Sequence, residues 1–175
     1  MKHVASVVGV LLLASVSAAA DKEPPKPPPE SSEVDYDSKT DGALQVRGDT
    51  AEFVIITRDG KKAGPLTPPK LNASFELAPG TYEVSVNRTK RTVKIQAGKK
   101  TILQTGTLVV EAKEGNWYVP YEGKERCVAD APQKLNAPIA LFPGKYSVVV
   151  HVGDKDEKLA DDATVEAGKK TVLKK

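Results

Sequence analysis

From Gly42 onward, apolar side chains recur at every second position in short runs. Leu44 and Val46 alternate with polar neighbours, and Phe53-Val54-Ile55-Ile56 forms a brief apolar stretch. Tyr82, Val84 and Val86 again take alternate places, as do Val93 and Ile95, and Thr101-Ile102-Leu103 closes the series. A period of two is that of a strand with one buried face. Between the runs stand Asp59-Gly60, Pro79-Gly80 and Gly98-Lys99, residues suited to the chain reversals of hairpins. No stretch after residue 20 sustains a capped helical stripe. The pattern predicts an all-β protein.

The pattern also repeats. Lys70-Leu71-Asn72-Ala73 returns as Lys134-Leu135-Asn136-Ala137, and the same offset matches Gly42 with Gly106, Leu44 with Leu108, Leu77 with Leu141, Pro79-Gly80 with Pro143-Gly144 and Tyr82 with Tyr146. After an insertion at Gly153-Asp154-Lys155-Asp156-Glu157-Lys158, Ala97-Gly98-Lys99-Lys100-Thr101-Ile102-Leu103 reappears as Ala167-Gly168-Lys169-Lys170-Thr171-Val172-Leu173. Self-similarity of this kind means one structural unit used twice. The expected architecture is two tandem small antiparallel sandwiches, immunoglobulin-like or prealbumin-like, over residues 42–105 and 106–175. Units this small bury a modest share of their surface. The connector Gln104-Thr105-Gly106 is short, so the two are expected to share apolar contact with limited hinge motion.

Two segments precede the repeats. Met1-Lys2-His3 followed by apolar and small residues to Ala20 reads as a secretory signal cut near Ala20, with an uncleaved anchor as the rival. The chain is thus expected to be periplasmic or secreted, with no integral span after cleavage. Residues 21–41 hold Pro24-Pro25, Pro27-Pro28-Pro29 and the acids Glu30, Glu33, Asp35, Asp37 and Asp41. Consecutive prolines fix φ and remove donors, which predicts a disordered, extended linker. A tail without a role, a spacer and a ligand for a proline-recognising groove all remain open.

The order Gly42-x-Leu44-x-Val46, Ala51-x-Phe53, Asp59-Gly60, Gly64, Leu77-x-Pro79-Gly80-x-Tyr82-x-Val84-x-Val86 and Val93-x-Ile95-x-Ala97-Gly98 resembles the bacterial PEGA-type module. It is similar, more loosely, to carboxypeptidase-regulatory and transthyretin-like sandwiches. In the second copy Gly123-Lys124 replaces the Asp-Gly turn. The resemblance implies non-catalytic modules in exported or surface-attached proteins and supplies no catalytic residues.

Candidate chemistry is sparse. The single cysteine and two histidines exclude a disulfide framework and a self-contained Cys/His metal cluster. His151 is expected to point outward near a strand end, without the ordered partners a general base needs. Cys127, aligned with Ala63, is expected to be an inert half-buried thiol, the alternative being a bond to another chain. Asp154, Asp156, Glu157, Asp161 and Asp162 fit no calcium loop. Neither a metal nor another cofactor is expected.

Charge and aromatic residues mark the candidate contacts. The chain carries 26 Lys+Arg and 23 Asp+Glu, a net +3 that argues against a nucleic-acid protein. Residues 42–105 hold the excess, with Arg88, Lys90, Arg91 and Lys94 around one expected hairpin. Three explanations stand: solvated strand-edge lysines, a surface for an anionic envelope polymer, and the acidic linker folding back. In Trp117-Tyr118-Val119-Pro120-Tyr121, Trp117 is expected in the core. Tyr118 and Tyr121 are candidate contacts, and Pro120 suggests an edge strand. The functional expectation is a binding or spacing module of a bacterial cell envelope, meeting an envelope protein or anionic polymer through loops and edge strands. The alternatives are an accessory or inhibitory module for an exported hydrolase and a carboxylate-dependent glycan-acting enzyme.

Overall fold

The computed structural model of the protein describes residues 29–128 and 131–175. The expected export segment and the linker up to Pro28 lie outside the described residues. Those described form strands and turns without a helix. The first half contains β1 (Ser31–Asp35), β2 (Gly42–Arg47), β3 (Ile55–Arg58), β4 (Lys61–Lys62), β5 (Ser74–Leu77), β6 (Gly80–Val86), β7 (Thr89–Ile95) and β8 (Lys99–Gln104). The second contains β9 (Gly106–Glu111), β10 (Trp117–Glu122), β11 (Glu125–Arg126), β12 (Gln133–Lys134), β13 (Ile139–Leu141), β14 (Gly144–Val152), β15 (Lys155–Val165) and β16 (Lys170–Lys174).

Four sheets result, ordered β1-β8-β2-β5, β4-β3-β6-β7, β13-β9-β16 and β11-β10-β14-β15, with β12 also on β10. The pairing of the first half recurs in the second. β2 lies between β5 and β8 as β9 lies between β13 and β16, and β3 lies between β4 and β6 as β10 lies between β11 and β14. The all-β, sandwich-like class is as the alternation predicts. Pairing is not antiparallel throughout, because β2–β8 and β9–β16 are parallel. β2 runs the same way as β8, and β9 the same way as β16, and the intervening strands supply the long crossover that parallel pairing requires.

Alternation accounts for two apolar clusters. Leu44, Val46, Val54, Ile56, Tyr82, Val84 and Val86 anchor the first; Leu108, Val110, Tyr118, Tyr146, Val148 and Val150 anchor the second. Each such side chain contributes roughly 1.5–3 kcal/mol relative to exposure. Ala140 and Phe142, from the second half, belong to the first cluster, so apolar contact crosses between the halves.

Repeated sequence words also have repeated structural work. Tyr82 donates its hydroxyl to the Ala78 carbonyl at 2.7 Å, and Tyr146 donates likewise to Phe142. Each Pro-Gly-x-Tyr motif thereby ties its strand to the preceding corner. Asn72 and Asn136, at φ 71 and 61°, tolerate left-handed backbone better than most residues and bracket the chain after β2 and β9.

The acidic stretch departs from expectation. Instead of remaining apart from the fold, Ser31–Asp35 pairs antiparallel along β8 from Ser31 opposite Leu103 to Asp35 opposite Lys99. The Gln104 amide donates to the Glu30 carbonyl at 2.8 Å, and the Tyr36 amide to the Gly98 carbonyl at 2.9 Å. The prolines end at Pro29, so the residues that follow have the donors a ladder needs. The acidic chain thus folds back onto β8, where Asp35 pairs with Lys99 at 2.6 Å.

Candidate binding surface

Asn87 and Arg88, at φ 47 and 61°, form the two-residue turn joining β6 to β7. Beyond the turn, alternation separates the basic residues that lie close in sequence. Lys90 and Lys94 are exposed, whereas Arg91 is half-buried on the side of β7 that carries Val93 and Ile95 inward. Lys90 pairs with Glu83 at 3.1 Å on the exposed face. Lys94 borders a groove of about 680 Å³ with Glu30, Ser32, Glu33 and Thr92. Arg88 also has an interaction within the fold; it borders a second groove, about 460 Å³, with Ile55, Ser85, Lys90, Glu125 and Arg126.

Arg91 joins three parts of the molecule. Its Nε meets Glu30 Oε1 at 2.5 Å, its Nη1 lies 3.5 Å from Glu122 Oε1, and Nη2 donates to the Pro143 carbonyl. Its guanidinium carbon sits 5.4 Å from the centre of the buried Phe142 ring. Burial works against the charge, but the bond and charge of Glu30 outweigh it and raise the pKa above the ordinary arginine value. The planar fork of arginine suits this several-sided contact. Arg91 is therefore a half-buried residue of the junction rather than a fully exposed cation.

The aromatic stretch departs from expectation at Tyr118. Tyr118 is fully buried and donates its hydroxyl to the Ala137 carbonyl at 2.9 Å. Desolvation raises its pKa well above the ordinary value. It is thus a core residue and not a partner contact. Trp117, expected in the core, is half-buried: it packs against the second cluster and stacks on His151 with ring centroids 4.4 Å apart and planes at 1°. The reason is parity: Tyr118 and Pro120 stand opposite Val150 and Val148 in the ladder, so Trp117 belongs to the other face with His151. Tyr121 is half-buried against the second cluster. Pro120 does not mark an open edge either. Strand β10 has β14 on one side and β11 and β12 on the other, and the Pro120 carbonyl accepts the Cys127 amide at 2.9 Å.

His151 Nδ1 lies 2.8 Å from Asp156 Oδ1 across the β14–β15 hairpin. Asp156 is thus an ordered partner that the sequence did not lead one to expect, and with Trp117 on its face the ring is a cross-strand packing residue. Cys127 is fully buried rather than half-buried, and desolvation pushes its thiol up to about 12. Among the described residues no group of three or more His, Cys, Asp or Glu is placed to hold a metal ion, and no helix is long and apolar enough to cross a membrane.

Sequence reasoning missed the residues that join the halves. Glu52 accepts the Ala140 amide at 3.0 Å and Asn87 donates to the Ala140 carbonyl at 3.0 Å. Two side chains thereby satisfy the outer edge of β13, where a strand would otherwise pair. Nothing local in sequence marks Glu52 for this, since it lies 88 positions from its partner. Comparison of the chain with protein-family models, curated proteins and solved structures finds no match.

Proposed function

We propose that the chain is an exported, non-catalytic tandem sandwich, PEGA-like in character, that acts as a binding or spacing module of a bacterial cell envelope. Its contacts with a partner run through loops and sheet edges. The observation that carries this reading is β1: a short acidic segment lies on the edge of β8 and is held there by backbone pairing and by Asp35–Lys99 at 2.6 Å. Strand addition of this kind supplies affinity through the main chain and selectivity through alternate side chains. Support also comes from Arg91 and His151, polar residues singled out in the sequence, which are engaged in joining the halves and in cross-strand packing.

The test has two arms. Cell fractionation with amino-terminal sequencing is expected to recover the chain outside the cytoplasm, beginning at Asp21. Activity screening against envelope glycans and peptides is expected to show no turnover. Cytoplasmic retention would overturn export, and turnover that survives rigorous purification would overturn the non-catalytic reading.

A further inference from the structure

The two copies of Lys-Lys-Thr-(Ile/Val)-Leu have the same place in their sheets but different surroundings. In the first half they form β8, with β2 on one side and β1 on the other. In the second half they form β16, which ends its sheet with β9 as its neighbour. The difference is visible in burial: Ile102 is 7% exposed and its counterpart Val172 is 38% exposed.

The ladder defines what β16 presents outward. Its Lys169 carbonyl accepts the Thr107 amide at 2.8 Å, and its Lys175 amide donates to the Glu111 carbonyl at 3.0 Å, both toward β9. By strand alternation the backbone groups of Lys170, Val172 and Lys174 point the other way. The equivalent groups in the first half face β1, as the Gln104 amide bonded to Glu30 shows. Among the described residues no strand pairs with this side of β16.

We propose that the outer edge of β16 is a docking site for an extended acidic segment of a partner protein, added antiparallel as β1 is added to β8. The inference rests on the proposed role as a binding module and names its edge and ligand class. Charge complementarity favours this occupant. In the first half Asp35 and Glu33 stand opposite Lys99 and Thr101, with Asp35 bonded to Lys99. Transposed to β16, the same acids fall opposite Thr171 and Lys169, the latter paired with Glu166 at 2.6 Å, and the edge is flanked by exposed Lys170 and Lys174, which leave it basic. Lysines are a common guard against indiscriminate strand pairing, and that guard selects against basic or neutral segments while admitting acidic ones.

The probe is a capped synthetic peptide, Glu-Ser-Ser-Glu-Val-Asp-Tyr-Asp, titrated into the isotopically labelled chain and read by amide exchange. Slowed exchange is expected at Lys170, Val172 and Lys174, with that at Gln104 unchanged. Val172→Pro removes an outward donor without touching the β9 ladder, and it is expected to weaken peptide binding at least about tenfold. Because the variant chain has to fold for this reading, a second probe leaves the protein intact: the same peptide N-methylated at its second serine and its valine is expected not to bind. A peptide with both flanking acids, Glu and Asp of the Glu-Val-Asp core, changed to lysine is expected not to bind either.

Equal binding of all peptides, or no protection of the three amides at millimolar peptide, would overturn the proposal. So would slow exchange of those amides in the isolated monomer, which would mean that the edge is already covered. Protection that grows with protein concentration alone would assign the edge to a second copy instead. None of these outcomes depends on export or on the absence of turnover, which fractionation and activity screening decide separately.

Discussion

The side chain of Asn72 satisfies both backbone polar groups of Gly48: its Nδ2 donates to the Gly48 carbonyl at 2.8 Å, and its Oδ1 accepts the Gly48 amide at 3.2 Å. Asn136 does the same for Ala112, at 3.1 and 3.2 Å. The Lys-Leu-Asn-Ala word is thus a structural bracket that closes the chain after the opening strand of each half. Asn72→Gly retains the left-handed backbone and deletes the side-chain bonds, so it is expected to cost about 1–2 kcal/mol. Asn72→Ala is expected to cost about 1 kcal/mol more, because alanine resists φ 71°. Urea denaturation of both variants checks the order, and equal stabilities would remove the backbone part of the explanation.

Gly42 and Gly106 hold equivalent positions for a different reason. A Cβ on Gly42 would lie 2.3 Å from the Gln96 carbonyl oxygen, and one on Gly106 would lie 2.2 Å from that of Glu166. Both obstacles are backbone, which cannot swing aside as a side chain can. Gly42→Ala and Gly106→Ala are each expected to destabilise the protein by at least about 2 kcal/mol, measured by chemical denaturation. Gly123→Ala is the comparison, since open space surrounds that position and only its positive φ resists substitution. A smaller loss at Gly106 than at Gly123 would contradict the close-approach argument.

Docking of β1 is expected to depend on pH at both ends of the scale. The Lys99 hydrogen bond and charge hold the Asp35 carboxyl below its usual 3.8. Its contribution is present above that value and is lost as pH falls through the lowered one. The same bond and charge hold Lys99 above its usual 10.5, so that contribution is lost as pH rises through the raised value. Tyr36, whose hydroxyl donates to Glu76, is raised from 10.0 and acts in the same alkaline direction. Protection factors for the Gln104 amide, which reports β1, are expected to fall below about pH 4 and above about pH 10 while that of Thr105, bonded to Arg47, persists. Parallel loss at both amides would mean that β1 does not open as a separate unit.

Much of the fold was legible because the signals are local. Alternation at Tyr82, Val84 and Val86 describes a one-faced strand, and the same places in the second half, Tyr146, Val148 and Val150, are buried as well. The site was less legible because its determinants are relative. Whether Trp117 or Tyr118 points inward depends on which residue meets Val150 across the ladder, and an apolar run at both parities conceals that. Arg91 reads in sequence as one member of a basic cluster; its partners Glu30 and Glu122 lie far before and after it in the chain. The strand formed by Ser31–Asp35 was obscured by the adjacent prolines, whose composition dominates the segment although they stop short of it.

The clamp formed by Arg91 invites a direct test, because it separates a charge's role in binding from its role in assembly. Arg91→Ala removes the contact to Glu30, leaves Glu122 without that neighbour and strips the guanidinium from the Phe142 ring. The expected destabilisation is about 1–3 kcal/mol, accompanied by lower exchange protection at Gln104. Arg91→Lys keeps the charge but not the fork, so it is expected to recover less than half of that loss. Lys94→Ala, on the exposed side of the same strand, is expected to change stability by less than about 0.5 kcal/mol. Denaturation curves for the three variants decide the matter: a surface cation would make Arg91→Ala and Lys94→Ala equivalent, whereas a junction residue makes only the first one costly.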